Sequence, residues 1–184
     1  GAETGVELAD VLSKKMHCRS NGHENSEIRR NKAKMQEAVR RSGLRAVKQY
    51  LCRNEDDVIE FFQSLGVEAK CVIKPNMSAG SDCVFKCNNV NEAIAGFQEI
   101  NGQSNGLGQV NDGALCQEYL HGTEYVVDGV SRDGIYKVTA IWEYDKRSVN
   151  NANFGYYGMK LISPLSDRGR ALIEYARVVN RAVG

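Results

Sequence analysis

The stretch Cys71-Val72-Ile73-Lys74-Pro75-Asn76-Met77-Ser78-Ala79-Gly80-Ser81 decides the reading of this chain. A short apolar run reads as a strand over 70–74, and it ends in a lysine that opens onto a loop of small residues. Such a strand carries the lysine's aliphatic stem to the loop. There the ammonium supplies charge, and the loop supplies backbone N–H groups that approach an anion closely. The arrangement is a device for holding phosphate. Taken alone it also fits a snorkelling surface lysine beside a turn. Val72 has the same strand parity as Lys74, so the two face one side of the strand.

Outward from this stretch, the flanking elements read in order. A strand is expected at 45–50, and a helix over 54–65 with Asn54 as its N-cap. Acidic residues fill that helix's first turn, and Val58, Phe61, Phe62 and Leu65 form its apolar stripe. A strand at 82–87 follows the Ser/Gly loop. A helix over 91–99 turns Ala93, Ile94 and Phe97 inward, a Gly/Asn-rich loop covers 102–113, and a strand covers 114–120. The resulting β-α-β-β-α-β order predicts an α+β unit with two helices on one face of an antiparallel sheet. Before it, a helix over 5–16 places Val6, Leu8, Val11, Leu12 and Met16 near one stripe. A second helix over 27–42 is stopped by Gly43 and turns Ile28, Met35, Ala38 and Val39 inward. After it, strands at 124–130 and 135–144 join through Ser131-Arg132-Asp133-Gly134, a hairpin signal. The segment 150–158 reads as a mobile loop, and a last helix over 166–182 carries Leu172, Ile173, Ala176 and Val179 inward.

Composition narrows the function. A chain of 184 residues with net charge +1 has no sustained basic field, which argues against nucleic acid as a partner. No apolar run approaches the about 18 residues that mark a membrane-spanning helix, so no membrane role is expected. The six cysteines (18, 52, 71, 83, 87 and 116) include no Cys-x-x-Cys and have no metal-ligand spacing with the histidines. They read as reduced structural thiols, which fits a cytoplasmic location.

Three pieces in sequence carry a resemblance. They are Arg30-Asn31-Lys32 with Met35, Val72-Ile73-Lys74-Pro75 with Ser78-Ala79-Gly80-Ser81, and Gln117-Glu118-Tyr119-Leu120-His121-Gly122-Thr123-Glu124. Their order and spacing resemble the ATP-grasp superfamily over nearly the whole chain, and within it the branch of carbamoyl-phosphate synthase, biotin carboxylase and L-amino-acid ligases. Members activate a carboxylate with ATP as an acyl phosphate and pass it to an amine or similar nucleophile. The resemblance implies the ATP-grasp fold: a split βαββαβ lid subdomain followed by an incomplete antiparallel core subdomain. It divides the chain into the tail of a preceding domain (1–26), a connecting helix (27–44), the nucleotide lid (45–120) and a partial core (121–184).

The resemblance also implies site residues. Lys74 and Lys32 would clamp the phosphates of ATP, and Val72 would pack on the adenine. Ser78, Gly80 and Ser81 would cover the phosphates with N–H and hydroxyl groups. Gln117, Glu118 and Leu120 would form the adenine hinge, with the Glu118 carbonyl accepting and the Leu120 N–H donating. Glu124 would accept both ribose hydroxyls. An exposed strand-end Glu118 and an ordinary edge Glu124 are the plain alternatives. The loop holds one glycine, with Cys83 near where relatives carry another.

Family members hold Mg2+ with a Glu and a later Glu-x-Asn, followed by an Arg, and no Glu-x-Asn follows Tyr144 here. The chain therefore reads as a piece of a longer ligase, with metal ligands and catalytic groups expected beyond it and no ATP turnover expected from it alone. Its partners would be ATP and a small carboxylate, with self-association of the longer protein left open. The competing classes are a non-catalytic, regulatory nucleotide-binding module and an unrelated α+β interaction domain.

Overall fold

The computed structural model describes residues 3–149 and 152–184. They fall into two compact units, one comprising Gly1–Arg40, Arg45–Leu120 and Val183–Gly184, the other Arg41–Leu44 and His121–Ala182.

The first unit is built on a four-stranded antiparallel sheet of β1 (Gln49–Cys52), β2 (Cys71–Lys74), β3 (Phe85–Cys87) and β4 (Ala114–Glu118), in the order β1-β4-β2-β3. Helices α4 (Glu55–Ser64) and α5 (Val90–Ile100) supply the apolar residues that cover one face. The split β-α-β-β-α-β order is therefore present, with shorter strands than the sequence suggested. Both helices begin where the local chemistry dictates. Asn54 accepts from the Asp57 N–H, and Asn89 accepts from the Glu92 N–H, each satisfying a donor that the first helical turn leaves unpaired.

The sheet face under these helices has an unusual composition. Each of the four strands contributes one buried cysteine, Cys52, Cys116, Cys71 and Cys87, packed with Ile73, Val58, Phe61, Ala93, Phe97 and Ile100. Cys71 and Cys87 are direct cross-strand partners, and the Cys52 and Cys116 sulfurs lie 3.2 Å apart. The neighbouring sulfur and burial hold the Cys71 and Cys116 thiols well above the ordinary cysteine range. They are packing groups, since the reactive form is the thiolate. Gly113 makes this corner possible. Its φ is +89°, and a Cβ there would lie 2.3 Å from the Cys52 carbonyl oxygen.

Several boundaries differ from the expectation. The helix foreseen over 27–42 is two helices, α2 (Ser26–Arg30) and α3 (Lys32–Arg41). Asn31 adopts an extended backbone between them, and its Oδ1 accepts from the Lys34 N–H, so it caps α3 instead of continuing α2. The strand foreseen at 45–50 lies at Gln49–Cys52, where it pairs with β4 and buries Cys52. Residues 82–84 are not strand: Asp82 and Cys83 lie in a turn, Cys83 with a left-handed backbone and Asp82 engaged elsewhere, and β3 begins at Phe85. Helix α1 (Val6–Lys15) buries none of its residues, and Leu8, Val11 and Leu12 are exposed.

The second unit is a three-stranded antiparallel sheet, β5 (Glu124–Arg132), β6 (Ile135–Val149) and β7 (Ala152–Leu161), followed by α6 (Asp167–Val183). The loop foreseen over 150–158 is largely strand: β7 pairs with β6 from Val149↔Ala152 to Trp142↔Leu161. Asn150 and Asn151 lie outside the described residues. The alternation of aromatic and small residues after them suits a pleated strand, and the Asn/Gly content masked it. A bulge at Asp128/Gly129 brings Gly129 against the Tyr136 ring, where a Cβ would lie 2.3 Å from a ring carbon. Among the described residues no helix is long and apolar enough to cross a membrane.

Candidate functional site

The start of α3 docks on the loop that follows β2. The Ala33 N–H donates to Asn76 Oδ1 at 3.0 Å, and the Lys32 N–H donates to the Asn76 carbonyl at 3.3 Å. This brings the Lys32 ammonium to the Ser78 carbonyl (2.5 Å), with Asn76 O at 3.5 Å. Burial pushes the Lys32 pKa down, and the nearby Arg30 adds to the shift. A half-buried ammonium is thus held at the loop by main-chain oxygens.

The sheet presents a second group of these residues. Cys71 and Ile73 point into the core, so Val72 and Lys74 share the opposite face. Val72 stands opposite Gln117 on β4 and Lys86 on β3, and Lys74 stands opposite Leu115. Gln117 is nearly buried. Its Nε2 donates to Gln49 Oε1 at 2.8 Å, and Gln49 Nε2 donates to the Ala33 carbonyl at 2.9 Å. The same hydrogen-bond chain therefore ties Gln117 to α3. Lys86 lies 4.3 Å from the centre of the Tyr119 ring.

Beyond Lys74 the loop bends back on itself. Ser78 is 6% exposed, and its hydroxyl donates to Asp82 Oδ2 at 2.8 Å. Gly80 (φ +70°) and Ser81 (φ +60°) both take the left-handed conformation and are exposed. The Gly106 N–H donates to the same Asp82 oxygen at 2.7 Å, and Gly106 with Ser78 holds that carboxyl below the usual aspartate range.

At the end of β4, Glu118 Oε1 accepts from the Lys48 N–H (2.8 Å) and from Arg45 (3.3 Å). The Glu118 N–H donates to Lys48 O, and the Tyr119 N–H donates to Lys70 O. Leu120, which closes the first unit, is 53% exposed. Glu124 opens β5 in the second unit, half-exposed and ion-paired to Lys146 at 2.7 Å.

Lys32, Val72, Lys74, Ser78 and Gln117 thus gather around one loop and one sheet face of the first unit. The sequence reading missed Asn76, Asp82, Lys86 and Asn105, whose engagement with this loop and face is non-local. Asn31 offered a local signal, an Asx residue ahead of a helical run, but the helix formers on both sides of it outweighed that signal. Among the described residues no group of three or more His, Cys, Asp or Glu is arranged to hold a metal ion.

No family model matches the chain. Dapdiamide A synthase of Enterobacter agglomerans is 34% identical over 170 residues, spanning 92% of this chain and 39% of that protein. The chain thus spans well under half the length of the curated relative it matches. Among solved structures, biotin carboxylase from Campylobacter jejuni, in a complex with β,γ-ATP, superposes with a TM-score of 0.79 and 11% identity, over 100% of this chain and 42% of that one. The L-amino acid ligase of Bacillus licheniformis gives 0.74 and 14%, over 100% and 41%. The chain has the ATP-grasp fold. D-alanyl-alanine synthetase A from Vibrio cholerae superposes to a similar extent, with a TM-score of 0.73 and 14% identity over 98% of this chain and 56% of that one.

Proposed function

We propose that this chain is the nucleotide-binding part of an ATP-dependent ligase that activates a carboxylate as an acyl phosphate for attack by an amine. The observation that carries the reading is that two lysines from separate elements, Lys74 ending β2 and Lys32 opening α3, stand at one small-residue loop. A triphosphate needs charge together with fixed donors, and this loop has both. Lys74 reaches the phosphates from the sheet, Lys32 meets them from the helix, and Ser78, Gly80 and Ser81 cover them. Val72 packs on the adenine beside Gln117. Glu118 and Leu120 offer main-chain groups to its edge.

In the reaction, a carboxylate oxygen of the substrate bonds to the γ-phosphorus of ATP, and the bond to the β,γ-bridging oxygen breaks to release ADP. The amine then attacks the acyl carbon, forms the amide, loses a proton and expels phosphate. The likeness to dapdiamide A synthase and to an L-amino acid ligase supports the ligase part of this reading. In this reading the residues named above hold and orient ATP.

The test is hydroxylamine trapping in the natural polypeptide that contains this chain, supplied with ATP, magnesium and a panel of amino acids and other small carboxylates. Hydroxamate formed with release of ADP, and abolished by Lys74→Ala, is the expected result. ATP consumption that no carboxylate stimulates, with no hydroxamate from any member of the panel, would contradict the ligase reading.

A further inference from the structure

The Gly/Asn-rich segment 102–113 has no task in the nucleotide reading, yet it holds the loop that reading depends on. At its centre Asn105 is 6% exposed and uses its whole carboxamide. Oδ1 accepts from the Leu107 N–H (3.0 Å) and the Gln109 N–H (3.1 Å). Nδ2 donates to the Met77 carbonyl (2.8 Å) and to Asn111 Oδ1 (3.1 Å). The acceptor half therefore shapes its own turn, and the donor half braces that turn at Asn111 and reaches across to the loop after Lys74. The turn is firm in itself, closed by bonds from the Asn105 N–H to Gln109 O, the Asn111 N–H to Gln103 O and the Gly102 N–H to Asn111 O.

The next residue makes a second attachment. The Gly106 N–H donates to Asp82 Oδ2, which also accepts from the Ser78 hydroxyl. A Cβ on Gly106 would stand 3.3 Å from the Asp82 carboxyl carbon, so the close approach favours glycine. Two consecutive residues of the 102–113 turn thus grip the loop at Met77 and, through Asp82, at Ser78.

We propose that Asn105 is a positioning residue for the phosphate loop. It fixes the Met77 carbonyl, and with Gly106 on Asp82 it holds residues 75–82 in the conformation that receives a nucleoside triphosphate. The inference rests on the nucleotide reading of the same loop. Its physical content is preorganisation: a loop already ordered loses less entropy when the ligand binds. Asn105 touches no nucleotide atom in this account and acts through the loop.

Asn105→Asp separates the two halves of the carboxamide. It keeps the acceptor that shapes the turn, and it turns a carboxylate oxygen toward the Met77 carbonyl in place of the donor. The expected result is amide hydrogen exchange accelerated over residues 75–82 by more than elsewhere, a dissociation constant for magnesium–ATP raised about tenfold, the effect of roughly one lost hydrogen bond, and a lowered melting temperature, because a buried carboxylate oxygen then faces a carbonyl oxygen. Asn105→Ala should show the same loop effect with an added loss of stability. Unchanged exchange over 75–82 would overturn the proposal. So would faster exchange spread evenly over the whole sheet, which would make Asn105 a merely structural residue. So would a loosened loop with unchanged affinity in a wild type that binds ATP. If the wild type itself binds no ATP, the nucleotide reading fails, and with it the phosphate role of Asn105. The exchange data then still report separately whether Asn105 fastens the loop.

Discussion

Replacing Lys32 by Met separates the two tasks this lysine is assigned. The substitution keeps an apolar stem of similar length and removes the ammonium that donates to the Ser78 carbonyl at 2.5 Å. Ser78 is 6% exposed, so water does not readily replace the lost donor. An unsatisfied buried acceptor costs about 1–3 kcal/mol. The loss is offset, because wild-type Lys32 carries a desolvation penalty that its depressed pKa reports and that Met does not. The net destabilisation should therefore be about 1 kcal/mol or less, which for a chain of this size lowers the melting temperature by roughly 2–4 °C. Binding should respond far more. A charge-assisted hydrogen bond to a phosphate is worth about 1.5–3 kcal/mol, or roughly ten- to hundredfold in the dissociation constant for magnesium–ATP. Thermal melts beside calorimetric titrations measure both quantities on one sample. A variant that loses several kcal/mol of stability while binding ATP as well as wild type would refute the reasoning and leave Lys32 a structural pin.

Two further outcomes test the scaffold. Ile73→Ala opens a cavity in the buried face among the four cysteines and should cost about 2–5 kcal/mol in denaturant unfolding, with Val72→Ala on the opposite face costing less. Asp10 accepts from Ser26 (2.5 Å) and Arg29 (2.8 Å), and those partners hold its pKa below the ordinary aspartate value. Its contribution is therefore present above about pH 3.9, the unfolded value, and is lost as pH falls through the lower folded value. Asp10→Asn should remove that acid-dependent component and cost about 1.5–3 kcal/mol at neutral pH, read from urea unfolding across pH.

What was legible in the sequence follows the range of the interaction. Helices α4 and α5 could be read because their apolar stripes lie within a dozen residues: Val58, Phe61, Ala93 and Phe97 pack inward, and Asn54 caps α4 as its sequence suggested, while the Asn89 cap of α5 went unread. The shared face of Val72 and Lys74 followed from strand parity, and the structure's burial pattern has the same alternation. The break at Asn31 was hidden because helix-forming residues flank it on both sides, while its cap bond and the docking of Asn76 decide the matter. Strand β7 was hidden by its Asn and Gly content, which reads as loop until β6 pairs with it. Motif order singled out Lys32 and Lys74, and the structure has the Lys32 ammonium at the Ser78 carbonyl of the loop that follows Lys74. The grip of Asn105 on Met77 spans 28 residues of chain, and no local pattern announces it.

The most direct test of the central claim is a calorimetric titration of the chain with magnesium–ATP, run beside Lys74→Ala. The account predicts saturable binding by the wild-type chain, weakened at least tenfold or abolished in the variant, with both proteins melting at nearly the same temperature. Equal affinity in the two proteins, or no binding to a wild-type chain that is folded, would contradict the claim that the loop after β2 is a nucleotide-phosphate site.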